Sequence, residues 1–147
     1  MYHSILVSTD GTARSSSAVT AAAKLARTCG ANLTIFHAVP EYRMPYYAEG
    51  MAFDWPPEAD YLKSSGKHAD KLLAKARSLA AKENVTANVA RAHADAASEA
   101  IVKAAAKAKA DLIVMASHGR KGLEKLLLGS ETQRVLSRSK VPVLVIR

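Results

Sequence analysis

From Met115 to Ser130 the chain passes glycines at 119, 122 and 129 and delivers Gly129-Ser130 to the start of a helical pattern. Glycine lets a backbone come close to phosphate oxygens, and a helix start aims unpaired N–H groups and a partial positive charge at them. The segment therefore reads as an anion site. The alternative is a capping box, with Ser130 and Gln133 closing the helix start and the glycines only turning the chain. No G-x4-G-K-S/T occurs, and Gly11 stands alone after the first apolar run, so neither a P-loop nor the dinucleotide fingerprint is present. Ser117-His118-Gly119 looks like part of a nucleophile elbow, but Met115 stands where GxSxG needs glycine and no histidine follows His118. Serine hydrolysis is not expected. His3, His37, His68 and His93 have no metal-ligand spacing, and Cys29 is a single cysteine, so neither a dedicated metal site nor a disulfide is expected.

Two other groups of residues bear on chemistry. Lys63, Lys67, Lys71 and Lys75 recur every four residues and make one basic stripe on a helix, with Arg77 and Lys82 beyond it. Such a stripe is either a phosphate-binding face or a solvated outer face. No DNA or RNA module signature accompanies it, so nucleic acid is not the expected partner. The second group is the connection from Glu41 to Pro56, which carries Tyr42, Tyr46, Tyr47, Phe53 and Trp55, most of the aromatic residues in the chain. A connection this long is usually functional or disordered, and its rings suit covering a sheet edge, a ligand or a partner subunit.

The elements that must position these residues alternate between two periodicities. Ser4 to Ser8, Asn32 to Val39, Thr86 to Ala92, Asp111 to Ala116 and Val141 to Ile146 read as strands. Between them, Ala13 to Cys29, about Pro57 to Glu83, a stretch capped by Asp95 and running to about Lys109, and Ser130 to Ser137 read as helices. The apolar face of the long helix is expected to comprise Leu62, Ala69, Leu72, Leu73, Ala76, Leu79 and Ala80. Alternating strands and helices imply a parallel sheet with helices on both faces, and the uninterrupted apolar runs Ile5-Leu6-Val7, Leu112 to Met115 and Val143 to Ile146 suit strands buried on both sides.

The 147 residues suffice for one α/β domain, and the 49% hydrophobic and 23% charged composition suits a globular chain. Apolar runs fall short of the roughly 20 residues that span a bilayer, and the first run lacks a basic leader, so a cytoplasmic protein is expected. A net charge of +8 favours anionic partners without choosing among them.

The sequence resembles the universal stress protein family, whose nucleotide-binding members carry G-x2-G-x9-G-S/T after the fourth strand. Gly119, nine residues, and Gly129-Ser130 match that pattern, while Ala116 replaces the leading glycine. The likeness extends to the opening run from Ile5 to Val19, to Phe36-His37-Ala38-Val39, and to the closing Val141 to Arg147. It implies a five-stranded parallel sheet in the order 3-2-1-4-5, whose switch point lies between Asp10 and the 116–119 turn. By the same likeness, Thr9 and Asp10 would contact the nucleoside of ATP and Val39 would meet the adenine through its backbone. Met115 and Ala116 would lie against base and ribose, and Gly119, Gly129, Ser130 and Thr132 would hold the phosphates. Asp10 also reads as an ordinary turn or capping residue before Thr12. Ala116 costs little if it stays extended, but clashes if the site needs a positive φ or close approach to the ribose. The implied protein is an ATP-binding switch or adaptor in stress response, acting on a protein client. Magnesium would arrive only on the phosphates. Glu131 and Glu124 are not obvious bases for water, so efficient hydrolysis is not expected. The implied quaternary state is a homodimer through Val141 to Ile146, because that apolar strand is an edge in this order. The alternatives are a stress protein that binds no nucleotide and a basic nucleic-acid-binding module.

Overall fold

The computed structural model describes residues 1–44, 55–117 and 128–147. Nine elements follow in the order β1 Ser4–Ser8, α1 Ala13–Cys29, β2 Asn32–Pro40, α2 Glu58–Lys82, β3 Ala87–Ala94, α3 Ala97–Lys107, β4 Leu112–Ala116, α4 Ser130–Arg138 and β5 Val143–Ile146. The strands form one parallel sheet in the order β3-β2-β1-β4-β5. This is the α/β fold that the alternation of elements implied and the strand order that the resemblance implied.

Successive side chains of a strand point to opposite faces, and the core divides accordingly. Ile5, Val7, Leu33 and Ile35 pack with Val19, Ala22, Ala23 and Ala26 of α1 and with Leu73, Ala76 and Ala80 of α2. Leu6, Phe36, Ile113 and Met115 pack on the other face with Ile101 and Ala105 of α3 and Val135 of α4. Alanines on the inner faces of α1 and α2 let these helices lie close to the sheet. Gly30 ends α1 in the left-handed conformation, φ 65°, which costs glycine nothing.

Three expectations need correction. Asp95 does not cap α3: the cap residue is Ala96, and the Asp95 carboxylate pairs with Arg43 at 2.7 Å. The Glu131 carboxylate of α4 instead accepts from the Ser98 backbone N–H at 2.6 Å, closing the first turn of α3 from a neighbouring helix. Leu62 is 43% exposed and does not share the buried face of α2, whose fully buried residues begin at Gly66. The strand proper of β5 is shorter than expected: it begins at Val143, and Pro142, which has no N–H to donate, offers β4 only its carbonyl, accepting from Ile113 N at 3.0 Å.

Candidate functional site

The carboxyl ends of β1 and β4 lie side by side, with Val7 opposite Val114. Beyond β1 the chain turns through Thr9 to Thr12 into α1. Asp10 Oδ1 accepts from the Thr12 backbone N–H at 3.0 Å and from its hydroxyl at 2.6 Å, while Thr12 Oγ1 accepts from Ser15 N. Asp10 thus holds the residue that caps α1, which gives it the turn role as well as a place at the switch point. Buried Ser15 ties the turn together, with its hydroxyl 3.0 Å from that of Thr9. Gly11 adopts φ 81°, a conformation that favours glycine, and a β-carbon there would stand 2.8 Å from Leu72 Cδ1, so the Leu72 side chain would have to shift to admit one. Sequence reasoning missed His37, a buried residue whose Nδ1 lies 2.8 Å from the Thr9 carbonyl oxygen and fixes the β1 end from β2. No spacing rule could have found it, because the contact depends on register between neighbouring strands.

Beyond β4, Ser117 is buried and its N–H donates to the Ile146 carbonyl. Its own carbonyl accepts from Gly129 N at 2.8 Å and from the Thr132 hydroxyl at 3.2 Å; that hydroxyl also lies 3.1 Å from the Ala116 carbonyl. The start of α4 therefore hangs from the end of β4. Thr132 is 2% exposed and spends its hydroxyl proton on these carbonyls. The capping-box alternative does not describe this start, because Gly129 is the cap residue and Gln133 Nε2 donates to the Leu128 carbonyl. The first-turn N–H groups of α4, from Ser130 to Thr132, have no acceptor within the helix. Glu131 is turned away from them: partial burial raises its pKa, but hydrogen bonding to Ser98 and pairing with Arg134 outweigh this and hold the carboxyl below its usual range.

Of the residues singled out from sequence, Thr9, Asp10, Met115, Ala116, Gly129, Ser130 and Thr132 stand at the ends of the adjacent strands β1 and β4 or on the α4 start attached to β4. Val39 is buried at the end of β2. Gly119 and His118 lie outside the described residues, as do Glu124, Tyr46, Tyr47 and Phe53. Ala116 is an extended residue of β4 paired with Ile146, so its methyl group meets no strained backbone. Gly129 has φ −57°, which any residue adopts, so conformation does not account for the glycine there. Among the described residues no cluster of His, Cys, Asp or Glu could hold a metal ion, and no helix is long and apolar enough to cross a membrane.

The model of the family described as "Universal stress protein family" matches residues 1–147. A universal stress protein of Methanocaldococcus jannaschii is 35% identical over 150 residues, covering 100% of this chain and 83% of the relative. One of Thermus aquaticus is 32% identical over 151 residues, covering 100% of both chains. Among solved structures, a universal stress protein in complex with cAMP is 29% identical, with a TM-score of 0.75 over 99% of this chain and 97% of that one. The UspA protein of Lactobacillus plantarum, 24% identical, shares the fold with a TM-score of 0.82 over 99% of this chain and 98% of that one.

Proposed function

The chain belongs to the universal stress protein family, and from that premise we propose that it binds ATP at the carboxyl ends of β1 and β4 and works as a nucleotide-dependent switch or adaptor in stress response. The observation that carries this reading is the α4 start. Its N–H groups and its glycine, which the backbone conformation does not require, hang from the end of β4, the strand beside β1 at the topological switch point of the sheet, where ligands of such folds sit. Extended Ala116 shows that the position of the family's leading glycine needs no positive φ here. In the bound state Thr9 and Asp10 contact the nucleoside, Val39 meets the base through its backbone, and Met115 and Ala116 lie against base and ribose. Gly119, Gly129 and Ser130 take the phosphates, and Thr132 holds the helix start in place. Magnesium comes with the phosphates. A relative of known structure was solved with cAMP, an adenine nucleotide, which supports the ligand class.

The switch reading follows from the lack of a base among the described residues near the phosphates. Glu131 is the nearest carboxylate in sequence, and it is committed to Ser98 and Arg134 with its pKa held low. A homodimer forms through β5, whose edge is apolar and carries Leu144 at 40% exposure. Mass spectrometry of protein purified without added nucleotide tests the ligand: an adenine nucleotide carried at close to one per chain supports the reading. Protein that carries none, and takes up none from millimolar ATP, refutes it.

A further inference from the structure

The basic stripe on α2 is not all solvated outer face. Lys71 and Lys75, with His68 one turn earlier, line a cavity of about 290 Å³ whose opposite wall is Thr9, Asp10, Gly11, Thr12 and Ser16. None of these three side chains has an ion-pair partner within 4.0 Å among the described residues, in contrast to Arg91 and Asp70, which pair at 3.0 Å. Asp10 brings one carboxylate to the cavity, and its Oδ1 already accepts two hydrogen bonds from Thr12. Thr12 and Ser16 add hydroxyls to the lining, and Leu72 and Ala76 add apolar surface. Up to three positive groups thus face one neutral-polar wall holding one carboxylate, in a space the size of a phosphorylated sugar fragment.

The cavity shares Thr9 and Asp10 with the nucleotide site, but opens on the α1 and α2 face of the sheet, whereas the α4 start lies on the opposite face. Both places lie at the carboxyl ends of the adjacent strands β1 and β4, so a ligand seated across these two ends would extend toward both. We infer that the His68, Lys71 and Lys75 cavity binds a second phosphate on the ribose of the nucleotide, so that the ligand class favoured here is adenine nucleotides phosphorylated both on the 5′ oxygen and on a 2′ or 3′ oxygen. This rests on the ATP-site reading, because the nucleoside at Asp10 is what brings the second phosphate to the cavity. Charge-assisted hydrogen bonds from two lysines to a phosphate are among the stronger polar contacts available to a protein.

Calorimetric titration at low ionic strength with AMP, ATP, adenosine 3′,5′-bisphosphate and adenosine 2′,5′-bisphosphate tests it, on the wild type and on a Lys71→Gln, Lys75→Gln double variant. Both lysines are exposed, so the variant should fold, and a thermal melt checks this. The expected result is that at least one bisphosphate binds the wild type roughly tenfold or more tightly than AMP, and that the variant binds the two equally. Equal affinities in the wild type, or a preference that survives in the variant, overturn the inference while ATP binding keeps the site reading intact. Failure of every nucleotide to bind overturns both. If AMP with added inorganic phosphate reproduces the affinity of the bisphosphate, the cavity takes a free anion, and the assigned ligand class is wrong.

Discussion

Thr132 separates a ligand contact from a structural one, and the replacement Thr132→Val does so with little change in volume. The residue is 2% exposed and its hydroxyl reaches the Ala116 and Ser117 carbonyls at 3.1 and 3.2 Å. Valine keeps the branched shape and removes the donor. Ser117 O retains the bond from Gly129 N, so the loss is a shared hydrogen bond rather than two stranded carbonyls. That sets the expected cost at about 1–2 kcal/mol, and hence a fall in Tm of roughly 3–8 °C for a chain of this size. Thr132→Ser keeps the donor and loses one methyl group, costing about 1 kcal/mol by burial alone. Urea unfolding followed by far-ultraviolet circular dichroism reads both variants, with the slope unchanged if the native state stays compact. The serine variant should keep ATP affinity within about threefold of the wild type, because a bond that positions the helix start survives in it. A Thr132→Val protein as stable as the wild type that nevertheless loses ATP affinity tenfold or more would refute this reasoning, since the hydroxyl would then belong to the ligand.

Three further expectations follow from the same geometry. Gly11→Ala should cost about 1–3 kcal/mol, from the left-handed backbone and the contact with Leu72, and Gly11→Ala with Leu72→Ala should cost less than the two changes added; strict additivity in urea unfolding would show that the two residues do not press on each other. Glu131→Gln should destabilise by about 1 kcal/mol at pH 7 through the weakened cap on α3. Because the folded pKa of Glu131 is depressed, that stability is present above the unfolded carboxylate value and lost as pH falls through the folded one; the gap between wild type and variant should therefore shrink below about pH 4, and a gap constant from pH 7 to 3 would contradict the assignment. On the proposed β5 interface the wild type should be dimeric in light scattering at micromolar concentration and Val143→Lys and Val145→Lys should each be monomeric; a monomeric wild type, or variants that stay dimeric, would show that β5 is not an interface.

The parallel sheet and most element ends were legible because they rest on local signals, whereas the strand order was available only from the family resemblance. Apolar runs, Gly30 as a stop and the alternation of periods leave little choice for a chain with room for one sheet. What could not be read depends on contacts between distant segments. Asp95 sits where a cap belongs in sequence, yet Arg43 holds it, and Glu131 from another helix does the capping. Leu62 fits the period of the buried face but lies beyond the part of α2 that reaches the sheet. Asp10 was legible as both a site residue and a turn residue, and its bonds to Thr12 give it the turn role beside the switch point. Lys71 and Lys75 look in sequence like Lys63 and Lys67; only the crossing of α2 over the Thr9 to Ser16 turn distinguishes them.

Calorimetric titration of ATP into the wild type and a Gly129→Val variant tests the proposed nucleotide site most directly. The backbone at Gly129 accepts valine without strain, so the variant should fold with its Tm close to that of the wild type. Binding at micromolar affinity or tighter by the wild type, weakened by tenfold or more in the variant, is the predicted result. Equal affinity in the two proteins would remove the α4 start from the site.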